Sequence, residues 1–114
     1  NNKEIEEVIV PKSVERICRG AFYGCDKLKK ITVYNYKMDV GDVYYSEGKI
    51  ADVVETDFLP EQTTIKCYKY STMHEHEVFK FHTFELMGKS PDATLLERFM
   101  YFIKDILAFF RIDL

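Results

Sequence analysis

His74, Glu75, His76 and Glu77 are consecutive, and imidazole beside carboxylate is the chemistry of zinc hydrolases. The zinc motif HExxH needs two histidines four apart on one helical face. Here Val78 stands where the second histidine is required. His74 and His76 are only two apart, so on a helix they point to different sides. The tetrad therefore reads as a solvated polar face without a metal. Asp39 with Asp42, and Asp52 with Glu55, are spaced as carboxylate pairs. General acid–base work needs a pocket that drives two pKa values apart, and no surrounding pattern supplies one. Cys18, Cys25 and Cys67 form no CxxC pair, and an odd count cannot close entirely in disulfides. They read as buried thiols acting as small apolar groups. A bridge between Cys18 and Cys25 requires Cα atoms within about 7 Å. Ser13, Ser46, Ser71 and Ser90 all suit turns or helix caps. No catalytic, metal or cofactor residue is expected.

The binding candidates are aromatic. Tyr34, Tyr36, Tyr44, Tyr45, Tyr68 and Tyr70 gather at strand ends and in an insert, with Tyr34, Tyr36, Tyr44 and Tyr45 the candidate contact residues. Tyrosine joins apolar area to a hydroxyl, which suits it to binding surfaces, although strand propensity alone also favours it. Phe102 and Phe109 belong to a second cluster near the C-terminus. Phosphate binding needs a clustered basic face, and a net charge of −3 gives no reason to expect nucleic acid as a partner. No apolar run approaches the ~20 residues that span a bilayer. The chain begins with Asn, and we read it as a piece of a longer protein.

The elements that position these residues follow from pattern. Val8, Ile9 and Val10 form a short strand that Pro11 ends, because proline cannot donate to a ladder. Pro11, Lys12 and Ser13 make a turn. Val14, Ile17, Ala21 and Phe22 are irregularly spaced, which predicts a tight turn or short helical piece, with Gly20 and Gly24 permitting bends. Leu28, Ile31 and Val33 bring in the next strand, with Thr32 and Tyr34 opposite. Ile5, Val8 and Val10 recur as Leu28, Ile31 and Val33 at an offset of 23 residues, the period of a stacked coil. Residues 36–62 break this pattern. Within them Val43 to Tyr45 and Ile50 to Val53 flank a Gly-bearing turn of four residues, Ser46 to Lys49, predicting a hairpin. Thr64 to Tyr68 reads as a strand. Ser71 or Thr72 caps a helix running to about Lys80, and Thr83 to Leu86 reads as a last strand. Ser90-Pro91-Asp92 and the capping box Thr94-x-x-Glu97 compete to start a final helix. Its apolar positions include Leu95, Leu96, Phe99, Met100, Phe102, Ile103, Ile106, Leu107, Phe109 and Phe110. Glu97, Arg98, Tyr101, Lys104, Asp105, Ala108 and Arg111 keep to the other face.

The series Val8, Val10, Pro11, Ser13, Val14, Ile17, Ala21, Phe22, Cys25, Leu28, Ile31, Val33 resembles the BspA-like class of leucine-rich repeats. It covers one full coil and part of another. The resemblance implies an α/β fold: a short leucine-rich-repeat solenoid of stacked short strands, a strand-helix-strand terminal cap and a C-terminal amphipathic helix. Residues 1–88 form the repeat end, with insert 36–62 and cap 63–88, and residues 89–114 form the helix. In the cap, Met73, His76 and Glu77 replace the family's small or aromatic residues, which predicts packing that is looser or shifted toward Phe79 and Phe81. The resemblance also implies a bacterial cell-surface or secreted setting and a non-catalytic adhesion role with a protein or extracellular-matrix ligand. The helix has three fates: covering the stack, pairing with a partner or itself, or lying on a membrane surface through 94–112. Balanced charge on its polar face weighs against the membrane.

Overall fold

Side chains that alternate between two faces over four positions are what a half-buried strand requires. The computed structural model describes residues 4–18, 20–41, 44–46, 49–51 and 58–110. In it the first such run is β1 (Glu7–Val10). It pairs in parallel with β3 (Lys30–Val33), Val8 facing Ile31 and Val10 facing Val33. Between them lies β2 (Arg16–Ile17), paired in parallel with β4 (Asp39–Val40), Arg16 facing Asp39 and Ile17 facing Val40. Both strand pairs keep an offset of 23, so the period runs on to Asp39 and Val40, inside the segment 36–62 expected to break it. The irregular segment after Ser13 is not helical. It forms β2 and then successive turns, with Gly20 and Gly24 at φ 82° and 84°. Those angles clash with a Cβ, so glycine is the residue that fits.

Two further strands, β7 (Thr64–Cys67) and β8 (Phe84–Leu86), complete a parallel sheet of order β1-β3-β7-β8. Its register aligns Val8, Ile31, Ile65 and Phe84 in one row. The two central members are fully buried, and the outer two are half-buried. The next row, Ile9, Thr32, Lys66 and Glu85, faces the other way. There Glu85 pairs with Lys30 at 2.9 Å and Lys66 at 3.6 Å. The insert holds a separate antiparallel hairpin, β5 (Tyr44–Ser46) with β6 (Lys49–Ala51). Ser46 pairs with Lys49, so the strands reach into the turn expected to span four residues. The molecule is thus mixed α/β, a parallel sheet followed by a C-terminal helix.

The helix expected to reach Lys80 does not. Ser71 caps α1 (Thr72–Glu75), its Oγ accepting from the His74 amide, and the helix stops at His76, which is extended. The His76 ring explains the stop: its Nδ1 accepts from the Val78 amide at 3.1 Å and starts a separate 3-10 turn, Glu77–Phe79. A side chain that caps the next turn competes with helix continuation. This break drives Phe79 inward, edge-on to Phe58 at 5.9 Å. Met73 is fully buried, whereas Phe81, expected to share the packing, is exposed. All three cysteines are free, with Cys25 and Cys67 buried. At the last helix, Thr94 wins over Ser90. Its hydroxyl accepts from the Glu97 amide at 3.1 Å and the Glu97 carboxylate accepts from the Thr94 amide at 2.9 Å. Together they start α2 (Leu95–Phe109).

Large-to-small changes in a rigid core leave cavities. Met73→Ala and Phe79→Ala should each lower stability by about 3–5 kcal/mol in urea denaturation. Ile9→Ala, on the outer face of β1, should stay within about 0.5 kcal/mol. Equal losses at all three positions would contradict the assignment of faces.

Candidate functional site

Parallel strands paired in register end at one level, so the loops that follow them line one edge of the sheet. Tyr36, Tyr70 and Lys89 each lie three residues beyond the last residue of β3, β7 and β8. Helix α2 crosses this edge and presents Glu97, Tyr101 and Asp105 to it. These residues are four apart, hence on one helical ridge. The Tyr36 hydroxyl donates to Glu97 at 2.8 Å, and Lys37 lies 3.4 Å from the same carboxylate. The Tyr70 hydroxyl donates to Asp105 at 2.6 Å. Lys69 approaches Asp105 at 3.1 Å, and Lys89 bonds its other oxygen. Lys104 donates to both oxygens of Glu75 on α1, at 2.9 and 2.7 Å. Tyr101 is 7% exposed, and its ring stacks on Tyr70 at 5.4 Å.

Tyr70 is the hub of this latch. Its φ of 64° is left-handed, an unusual conformation for a residue with a side chain. The backbone is held there by its amide, which donates to His74 Nδ1 at 2.9 Å. The Nζ atoms of Lys69 and Lys104 both sit 5.1 Å from its ring centroid, within range of the ring quadrupole. Burial, then the Asp105 charge, pushes the Tyr70 phenol up to about 12. The bond from Lys89, then that from Tyr70, holds Asp105 well below the usual carboxylate range. The Thr94 amide, then Tyr36, lowers Glu97 to about 2.

Between body and helix the latch leaves an open cleft of about 310 Å³, with Tyr36, Thr72, Glu75, His76 and Tyr101 among its walls. The histidines of the acidic tetrad are occupied by backbone amides through Nδ1, and desolvation lowers both pKa values. Among the described residues no group of three or more His, Cys, Asp or Glu could hold a metal ion. Burial pushes the Cys67 thiol up to about 11, away from the reactive thiolate.

The polar ridge faces the body, so the apolar face of α2 points outward. Phe102 is 56% exposed and Phe109 81%, and Leu95, Leu96, Phe99, Met100 and Phe110 are exposed with them. The aromatic candidates thus divide. Phe102 and Phe109 share the outer helix face. Tyr34 is exposed just beyond β3, whereas Tyr36 is engaged in the latch. Tyr44 and Tyr45 belong to β5, and their side chains lie outside the described residues. The sequence pattern sets Glu97, Tyr101 and Asp105 on a polar face and Tyr70 among the strand-end tyrosines suited to binding, without pairing the two groups. The signal that could have found the latch was the match between their four-residue spacing and tyrosines just past two strands. Among the described residues no helix is long and apolar enough to cross a membrane. Comparison with family models, curated proteins and solved structures finds no match.

The latch has a pH window at each end. Lowered carboxylates stabilise docking above their unfolded pKa, near 4.5 for glutamate, and Glu97 loses that contribution as pH falls toward about 2. The raised Tyr70 phenol stabilises docking below 10 and loses it as pH rises toward about 12. NMR shifts of the Tyr70 and Tyr101 rings should therefore be constant from about pH 5 to 9 and should move outside that range. Tyr70→Phe should loosen docking by ~1 kcal/mol and shrink the alkaline transition, leaving the titration of Tyr36 and Tyr101, whose phenols burial also raises. An alkaline transition of unchanged size in Tyr70→Phe would assign it to those groups.

Proposed function

We propose that this chain is a non-catalytic protein-docking module, the end of a BspA-like leucine-rich-repeat solenoid, whose contact surface is the outer face of α2. The observation that carries the reading is the orientation of that helix: its polar ridge is held by the body, and Phe102 and Phe109 face solvent. Exposed apolar patches beyond a few hundred Å² are uncommon on monomers and mark contact sites. The offset of 23 repeated in two strand pairs supports the solenoid reading. So does the burial of Cys25 at the coil centre. A cell-surface or secreted setting, with a protein or matrix ligand, goes with that family reading. Adhesion through the tyrosines is the weaker variant, because Tyr36 is bonded to Glu97. The histidines and Cys67, held by backbone bonds or burial, favour binding over catalysis.

The direct test is tolerance. A core phenylalanine replaced by a charge unfolds a small domain, whereas an outward one does not. The double variant Phe102→Glu, Phe109→Glu should melt within about 3 °C of the parent at ~1 µM, a shift below about 1 kcal/mol. Retained melting together with retained Tyr70 ring shifts supports an outward contact face. Cooperative unfolding lost in the variant would place these side chains in the chain's own core and remove the reading.

A further inference from the structure

We infer that the occupant of the outer face of α2 is a second copy of this chain, the two helices packing face to face about a two-fold axis. The inference rests on the docking reading above and names the partner. Three observations carry it.

The first is spacing. Leu95, Phe99, Phe102, Ile106 and Phe109 are separated by 4, 3, 4 and 3 residues. That is the spacing of a coiled-coil seam, and it runs down a wider apolar face that also carries Leu96, Met100 and Phe110. A 4-3 seam is self-complementary, since a copy of itself offers the holes its knobs require. All five seam residues are exposed.

The second is area. Eight exposed side chains, Leu95 through Phe110, make the patch, four of them phenylalanines. With aromatic side chains contributing 150–250 Å² when fully accessible, the patch comes to roughly 800–1,000 Å². A standard stable interface buries about 800 Å² per partner. The five seam residues supply most of that area, so the face approaches what one side of a dimer needs.

The third is charge. A helix lying on lipid keeps Lys and Arg on its polar side for anionic headgroups. Here Lys104 is bonded to Glu75, while Lys69 and Lys89 are bonded to Asp105. The chain carries a net charge of −3. Neither feature draws it to an anionic surface, and an apolar seam between two copies needs no such charge.

Sedimentation velocity of the 114-residue chain from ~1 to ~200 µM tests this. The mass should rise from 13.5 kDa toward twice that value, with the midpoint inside this concentration range. Phe102→Glu should remain at 13.5 kDa throughout, while Phe81→Glu, a change at an exposed phenylalanine outside α2, should dimerise like the parent. A parent that stays monomeric at ~200 µM, or continues to grow beyond two copies, overturns the inference. So does unchanged assembly of Phe102→Glu, or a parent that floats with phosphatidylcholine–phosphatidylglycerol vesicles without doubling in mass. If the parent never doubles while the double variant still melts normally, only the second copy is lost. If the double variant unfolds at ~1 µM, the docking reading itself is lost.

Discussion

Parallel pairing in register is the constraint from which the rest of this molecule follows. A slip of one residue in a strand sends every side chain to the opposite face. Here one row carries Val8, Ile31, Ile65 and Phe84 inward, and the adjacent row carries Ile9, Thr32, Lys66 and Glu85 outward. Because the strands run the same way, their carboxyl ends fall on one edge. A loop residue three positions past one strand is therefore level with its counterpart past the next. Tyr36, Tyr70 and Lys89 are brought together in this way although they are far apart in sequence.

That edge matches a helix laid across it. Neighbouring strands lie about 4.8 Å apart, so β3 and β8 are separated by roughly 10 Å. Along α2, Glu97 and Asp105 are separated by eight residues, or about 12 Å at 1.5 Å per residue. A ridge of residues four apart thus meets successive loops without the helix having to bend. Tyr101, midway on the ridge, stacks on Tyr70 from the middle of the edge. The attachment is polar and near the surface, which distinguishes it from the core beneath. Met73 and Phe79 lie fully away from water, whereas the latch charges remain partly exposed and are weakened by salt.

Much of this architecture was legible in the residues. Val8 and Val10 repeat as Ile31 and Val33 because both pairs fill one core, and the Thr94-Glu97 capping box marks its helix start through local bonds alone. What was not legible depended on distant partners. A helix from Ser71 to Lys80 was a sound reading of local pattern, but the ring of His76 caps the next turn and ends the helix early. Likewise, periodicity defines the two faces of α2 but not which one turns inward. Ordinarily the apolar face does. Here Tyr36 and Tyr70 offer hydroxyls to carboxylates along the sheet edge, and that offer comes from residues far away in the chain.

The inverted helix also bears on what His74, His76 and Glu75 hold in place. His74 holds the left-handed backbone of Tyr70, and His76 holds the start of the 3-10 turn. Protonating either Nδ1 would replace an acceptor with a donor facing an amide, so both rings are used as neutral acceptors. Desolvation, which lowers both pKa values, acts in the same sense. Glu75 is bonded to Lys104, which ties α1 to α2. Three members of the tetrad that resembles a metal motif therefore fix the loop and the helix that display the phenylalanines. With Glu75 tied to Lys104, the polar ridge is held inward, and the exposure of Phe102 and Phe109 goes with that orientation.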